Sequence, residues 1–183
     1  MTRAFVAVGS NINPEENVRA ALRALAERTR IVSISTVYQT EPEGSVNQPC
    51  FYNCVVEIET DTAPEKLKFE VLREIEASLG RRRTSDKYAP RTIDLDLILY
   101  GDLVQDADGV VLPDPDVTRR PFLAVPLAEL APELTLPGTG VPIVGLAARL
   151  RMDRAHPLLD YTARLRKEII SCPSAAAFAQ PVP

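Results

Sequence analysis

The order of hydrophobic patterns along the first hundred residues is the feature that most limits how this chain can fold. Two segments carry apolar residues at helical spacing, and each follows a proline, Pro14 or Pro64. Four other segments are β-branched or alternate between apolar and polar residues, as strands do: residues 3–8, 31–39, 51–60 and 92–100. The predicted order is therefore strand, helix, strand, strand, helix, strand.

This order predicts the α+β class, with a ferredoxin-like βαββαβ core in which both helices cover one face of an antiparallel sheet. The 183 residues are enough to bury a core without disulfides. We expect residues 1–150 to form one domain. In the extension 151–183, apolar residues at helical spacing predict a C-terminal helix, followed by a loose tail from residue 172. The apolar residues of that helix are Leu158, Tyr161, Leu165 and Ile169.

Composition argues against several classes of partner. A net charge of -4 disfavours a general nucleic-acid partner, because binding to a phosphate backbone needs a dominant basic surface. The chain lacks an 18-residue apolar stretch and a signal-peptide pattern, so we expect no membrane partner. Three cysteines without a CxxC pair are typical of free thiols in a reducing compartment, which predicts a cytoplasmic protein.

Strand alternation assigns polar side chains to the sheet face that the two helices leave open. On the third predicted strand, Phe51 and Asn53 point to this face, and on the fourth strand Asp94 and Asp96 do so together with Ile98. The helix-side set on the fourth strand is Leu95, Leu97 and Leu99. The open face is thus expected to combine an aromatic ring, an amide and two carboxylates.

Two carboxylates at positions i and i+2 of a strand lie roughly 7 Å apart at Cα and can converge on Mg²⁺. An alternating acidic strand with a solvated face would show the same pattern. Arg91 favours the metal interpretation, because a cationic loop that leads into an acidic strand suits a bound polyphosphate. For the arginines at 81–83, a solvated helix terminus is the alternative, and Glu76 taken alone is typical of a surface carboxylate.

Several nucleotide-binding and catalytic motifs do not occur in the sequence. It lacks a P-loop, a G-x-G-x-x-G segment after a strand and a kinase catalytic loop, so side chains must hold any phosphates. The only histidine, His156, has no partner pattern, which disfavours a histidine-dependent triad. Gly9, Ser10 and Asn11 are expected to form a turn.

Six segments in consistent order resemble the 6-hydroxymethyl-7,8-dihydropterin pyrophosphokinases of folate biosynthesis. The most specific is P-R-T-I-D-L-D at 90–96. The others are A-V-G-S-N at 7–11, Y-Q-T-E-P-E-G at 38–44, Q-P-x-F-Y-N at 48–53, I-E-x-x-L-G-R at 75–81 and R-P-F at 120–122. The resemblance covers about residues 3–150, which it identifies as a pyrophosphokinase domain.

The resemblance implies that the protein transfers diphosphate from MgATP to the pterin hydroxymethyl group and releases AMP. It assigns two Mg²⁺ ions to Asp94 and Asp96, and catalysis to these aspartates together with Arg81 and Arg91. The implied pterin-binding residues are Thr40, Pro42, Phe51, Asn53 and Phe122. The implied nucleotide-binding residues are Glu76, Arg83, Tyr88, Arg91, Leu97 and Arg120. Residues 82–89 match the loop that closes over the site.

The chain departs from the resembling pattern at two notable positions. Asp114 stands where many members have a histidine, and Tyr88 stands where tryptophan is common. Two other functions are compatible with the predicted fold: a noncatalytic nucleotide- or RNA-binding module that stacks a base on Phe51, and another Mg²⁺-dependent nucleotidyl transferase. A neighbouring folate-pathway enzyme is a possible partner, and the substrates are the pterin and ATP.

Overall fold

The computed structural model describes residues 1–42, 48–82 and 89–170. The strands are β1 (Thr2–Ser10), β2 (Arg30–Ile34), β3 (Tyr38–Thr40), β4 (Phe51–Thr60), β5 (Asp94–Tyr100), β6 (Gln105–Ala107), β7 (Val110–Leu112), β8 (Thr135–Leu136), β9 (Val141–Pro142) and β10 (His156–Pro157). The main sheet is antiparallel and has the order β10-β3-β4-β1-β5, with β2 also paired to β4. Hairpins β6-β7 and β8-β9 lie outside it.

The sheet confirms the predicted ferredoxin-like core. Strand β1 lies between β4 and β5, and β2 extends the sheet beyond β4. The prediction of a single strand over residues 31–39 was wrong in its middle. Residues 35–37 leave the ladder between β2 and β3, and Ser35 bonds Val55 through its backbone N–H and its side-chain oxygen.

Helices lie on both faces of the sheet. They are α1 (Pro14–Ala26), α2 (Pro64–Lys66), α3 (Arg73–Ser78), α4 (Pro121–Leu130), α5 (Ile143–Leu150) and α6 (Leu159–Ile169), with a π-helical segment (Leu67–Leu72) between α2 and α3 and a 3-10 turn (Pro115–Thr118) before α4. The apolar stripe of α1 and residues 67–75 pack on one sheet face with Val6, Val56 and Leu97. This packing confirms the predicted placement of the first two helical segments.

The opposite sheet face is partly covered, contrary to the prediction of an open face. Helices α4 and α5 pack on it and bury a second apolar cluster that includes Phe5 and Val55. Leu99 belongs to this second cluster, so its predicted helix-side placement was wrong. The cause is a register shift: Val6 faces Leu97 whereas Phe5 faces Leu99, which leaves Ile98 as an extra residue in β5.

The extension after residue 150 packs against the core. The predicted C-terminal helix is confirmed as α6, which buries Tyr161, Leu165 and Ile169 and contacts α1 and β2. The predicted loose tail falls within residues 171–183, outside the described residues. None of the helices in the described ranges has the length and apolar character needed to cross a membrane.

Candidate active site

A pocket of about 280 Å³ opens on the sheet face that carries α4, beside the N-terminal end of that helix. Its floor comes from β1, β4 and β5, and its walls from β3, the segment before β4, and residues 114–123. The polar and aromatic residues of the lining are Thr40, Glu41, Gln48, Phe51, Asn53, Arg91, Asp94, Asp96, Asp114, Asp116, Arg120 and Phe122. The four residues singled out by strand alternation therefore meet in one cavity.

Gly9 forms the centre of the pocket floor. In the sheet register it faces Asn53 on β4 and Asp94 on β5, so these three residues form one row across the sheet. A Cβ atom at Gly9 would lie 2.9 Å from Asn53 Oδ1. Because Gly9 has no side chain, the Asn53 amide can pack closely against the backbone of β1. The Asn53 amide and the Asp94 carboxylate thus lie on opposite sides of Gly9.

The β3 side of the pocket combines an amide with two aromatic residues. Asn53 Nδ2 donates a 2.7 Å hydrogen bond to Thr40 Oγ1, which fixes the amide orientation. Phe51 begins β4, and Phe122 lies in the first turn of α4. Among the pterin-binding residues that we expected, Thr40, Phe51, Asn53 and Phe122 line the pocket. Pro42 does not belong to the described lining, where Glu41 lies instead.

The β5 side of the pocket is acidic. Asp94, Asp96 and Asp114 all line it. The Asp96 side chain is exposed to solvent inside the cavity, whose walls crowd it with protein atoms. This desolvation is the largest influence that raises the pKa of Asp96, and the negative charges of Asp94, Asp114 and Glu76 raise it further. Desolvation likewise raises the pKa of Asp114. The pocket thus concentrates negative charge at one end.

Arginines neutralise part of that charge. Arg91 Nη1 forms a salt bridge with Asp94 Oδ2, and Arg81 Nη2 lies 3.4 Å from Asp94 Oδ1. The Arg91 guanidinium carbon also lies 5.8 Å from the centre of the Phe51 ring, so Arg91 connects the acidic and aromatic ends. Arg120, directly before α4, donates a 2.7 Å bond from its Nε to Asp116 in the preceding 3-10 turn.

Sequence reasoning missed the role of Ser10 and Asn11, which we expected in a simple turn. Ser10 lies within β1, and its hydroxyl donates a 2.6 Å bond to the carbonyl of Thr92. Asn11 Oδ1 accepts a 2.8 Å bond from the N–H of Arg91, and Asn11 N donates to the Arg91 carbonyl. These two buried polar residues therefore tie the arginine segment to the end of β1. Two adjacent polar residues at the end of an apolar strand were the available signal.

Four expected nucleotide contacts are placed differently or lie outside the described residues. Glu76 is 2% exposed, which contradicts the surface alternative; its Oε1 accepts a 2.9 Å bond from the N–H of Leu95 and so anchors β5 from the helix side. The Leu97 side chain is buried in the helix-side cluster, so it cannot reach a ligand in the pocket. Arg83 and Tyr88 fall within 83–88, beyond what the structure describes.

Comparison with known proteins decides the family. The 7,8-dihydro-6-hydroxymethylpterin-pyrophosphokinase (HPPK) family matches residues 5–132. The chain belongs to the HPPK family. It is 39% identical over 144 residues to the 2-amino-4-hydroxy-6-hydroxymethyldihydropteridine pyrophosphokinase of Haemophilus influenzae, covering 77% of this chain and 89% of that protein. It is 40% identical over 138 residues to the protein of the same name from Pseudomonas aeruginosa, covering 74% and 84%.

Solved structures support the fold. The Plasmodium falciparum HPPK-DHPS structure with pteroate superimposes with a TM-score of 0.65 at 14% identity, covering 94% of this chain. This HPPK chain spans only 46% of the Plasmodium chain. The resemblance found in the sequence motifs is thus confirmed at the level of family and fold.

Proposed function

We propose that this HPPK-family enzyme transfers the terminal diphosphate of ATP to the hydroxymethyl group of 6-hydroxymethyl-7,8-dihydropterin and releases AMP. Its class is that of a pyrophosphokinase in folate biosynthesis. The observation that carries the proposal is the pocket itself, because one cavity places Phe51, Phe122 and Asn53 beside Asp94, Asp96 and Arg91. An aromatic slot for a flat heterocycle thus adjoins a site for a metal-bound polyphosphate.

The aromatic end suits a pterin. A flat heterocycle gains from stacking, and Phe51 on β4 and Phe122 on α4 offer rings from two different elements of the pocket. Asn53 uses one amide hydrogen for Thr40, which leaves its oxygen and its second hydrogen available to a ligand. Recognition of donors and acceptors on the pterin edge is therefore assigned to Asn53, with Thr40 holding the amide in orientation.

The acidic end suits Mg²⁺, and we assign two ions to Asp94 and Asp96. Their carboxylate oxygens are the ligand type that Mg²⁺ prefers. Desolvation, together with the negative charges of neighbouring carboxylates, raises the pKa of Asp96, and a divalent cation would offset this unfavourable concentration of charge. Bound Mg²⁺ would supply charge neutralisation for the transferred diphosphate.

The arginines supply fixed positive charge around that end. Asp94 holds Arg81 and Arg91 against β5, and Asp116 holds Arg120 at the opposite wall. Phosphoryl transfer depends chiefly on positioning and charge stabilisation, so preorganised guanidinium groups contribute without a strong general base. Asn11 and Ser10 help to position these arginines, because their side chains bond the backbone of residues 91 and 92.

The identity of the products tests the proposal. Purified protein is incubated with ATP, Mg²⁺ and the reduced pterin, and adenine nucleotides and phosphates are separated by ion-exchange chromatography. AMP formed in equal amount to the pterin diphosphate is the expected result. ADP would refute the proposal, inorganic pyrophosphate would favour a nucleotidyl transferase, and RNA binding without pterin turnover would favour the binding module.

A variant pair adds a control to this experiment. Asp96→Asn removes one carboxylate from the pocket without changing the size of the side chain, and we expect AMP formation to be abolished. Asp106→Asn makes the same change on the exposed β6 hairpin, and turnover is expected to match that of the unaltered protein. Equal activity of Asp96→Asn and Asp106→Asn would remove Asp96 from the mechanism.

Separate observations support the boundary of the catalytic domain, the cellular location of the protein and its partner enzyme. We assign catalysis to residues 1–150, because the described pocket lining ends at Leu123. We assign the enzyme to the cytoplasm, because Cys50 and Cys54 are free thiols. A neighbouring folate-pathway enzyme is the proposed partner, since HPPK and DHPS share one chain in the Plasmodium falciparum structure.

A further inference from the structure

In the connector between β2 and β3 (residues 35–37), the backbone groups of Thr36 and Val37 form hydrogen bonds with two separate elements outside the sheet. Thr36 N donates a 2.8 Å bond to Glu129 on α4. Val37 N donates a 2.9 Å bond to the Thr162 hydroxyl on α6, and the Val37 carbonyl accepts a 2.8 Å bond from Leu158 N. Both backbone polar groups of Val37 are thus satisfied by the C-terminal extension rather than by the sheet.

This connector leads directly to the pterin end of the pocket. Strand β3 begins one residue after Val37 and ends at Thr40, which holds the Asn53 amide. Strand β10 pairs with β3 along its outer edge, with His156 opposite Gln39 and Pro157 opposite Tyr38. The position of Thr40 therefore depends on contacts made by residues 156–162.

The extension is itself anchored to parts of the core away from the pocket. Arg166 Nε donates a 2.8 Å bond to the carbonyl of Ile34, at the end of β2. The Tyr161 hydroxyl donates a 2.6 Å bond to the carbonyl of Glu15 on α1, and Leu165 is buried in the helix-side cluster. Helix α6 is therefore held in place by the core. A hydrogen bond from α6 to the connector can consequently fix the position of the connector and of β3, which follows it.

We propose that residues 156–169, which lie beyond the segment matched by the family, position the pterin-binding strand β3, with Thr162 as the positioning residue. Thr162 is 2% exposed, and its hydroxyl both accepts from Val37 N and donates to the Leu158 carbonyl. One hydroxyl thereby links the connector to the start of α6. The inference deepens the proposed function and rests on it, because its readout is pterin recognition.

Thr162→Val tests the inference in the full-length protein. The two side chains have nearly the same shape, but valine leaves the buried Val37 N–H without its acceptor. The connector must then shift, and we expect the KM for the pterin to rise by about fivefold while the KM for ATP stays within about twofold. Thr162→Ser keeps the hydroxyl and is expected to restore the pterin KM.

Thr29→Val is the matched control. Thr29 is also a buried threonine, and its hydroxyl donates to the Leu25 carbonyl at the end of α1, with no bond to β3. We expect it to lower the melting temperature without changing the pterin KM. Should Thr162→Val fail to fold, Thr162→Ala removes the same hydrogen bond, and we again expect the KM for the pterin to rise.

The outcomes separate the two proposals. If the unaltered protein makes no AMP, the proposed function fails, whatever the variants do. If the unaltered protein is active and Thr162→Val keeps its pterin KM, or if the KM values for pterin and ATP rise together, the positioning role of Thr162 is refuted. A selective pterin defect that serine reverses supports it.

Discussion

Gly9→Ala is the sharpest test of the pocket floor. A Cβ atom at this position would lie 2.9 Å from Asn53 Oδ1, whereas ordinary contacts begin at 3.4 Å. Asn53 must therefore retreat by about 0.5 Å, and its bond to Thr40 must lengthen or turn. Because a misplacement of about 1 Å can cost roughly a hundredfold in rate, half that displacement predicts a loss of about tenfold in kcat/KM for the pterin.

The assay is steady-state AMP formation with the pterin varied at saturating ATP, together with calorimetric titration of the pterin. Gly145→Ala is the control, since nothing lies within 4 Å of a Cβ there and the residue lies in α5. This control is expected to leave kinetics unchanged and to raise the free energy of unfolding by about 0.5–1 kcal/mol. An unchanged pterin affinity in Gly9→Ala would refute the close packing of Asn53 over β1.

Two further predictions concern Phe122 and Asp96 in the pocket lining. Phe122→Ala is expected to weaken pterin binding by about threefold to tenfold, because an aromatic pair contributes about 0.5–1.5 kcal/mol, while ATP binding is preserved. Calorimetry measures both affinities, and Phe69→Ala, on the opposite side of the sheet, serves as control; an equal loss in the two variants would contradict stacking on Phe122. Asp96→Asn is expected to raise the melting temperature at pH 8 in EDTA, since the raised pKa of Asp96 means that ionisation opposes folding. The gain should vanish below about pH 4, where the carboxyl holds its proton in both folded and unfolded states, and a gain that persists at low pH would exclude this electrostatic origin.

The floor of the site could be read from strand alternation. The period of two residues alone placed Phe51 and Asn53 on one face, with Asp94 and Asp96 on the same face of another strand. This worked because the relevant parts of β4 and β5 are regular. Alternation failed at Leu99, where an extra residue in β5 reverses the faces, and such a bulge depends on the pairing partner rather than on local sequence.

Long-range hydrogen bonds account for most of what the sequence could not predict. Glu76 is buried because it accepts the N–H of Leu95, nineteen residues away along the chain. Asn11 is fixed by the backbone of Arg91, eighty residues away. Neither partnership has a local signature in the sequence. The covering of the second sheet face by α4 and α5 was missed for a related reason, because many prolines interrupt the hydrophobic pattern in the C-terminal third.

The placement of the floor on β1 and β4 has a consequence for how this protein tolerates change. Both strands are paired on each side, so the amides of Gly9 and Asn53 lie inside the ladder rather than at a frayed edge. Backbone amides in such positions are expected to exchange with deuterium only when the whole molecule opens. Substitutions that weaken α5, which contributes no residue to the described pocket lining, should then shorten the lifetime of the folded enzyme without changing its affinity for the pterin. Heat or denaturant should abolish binding and structure in a single step.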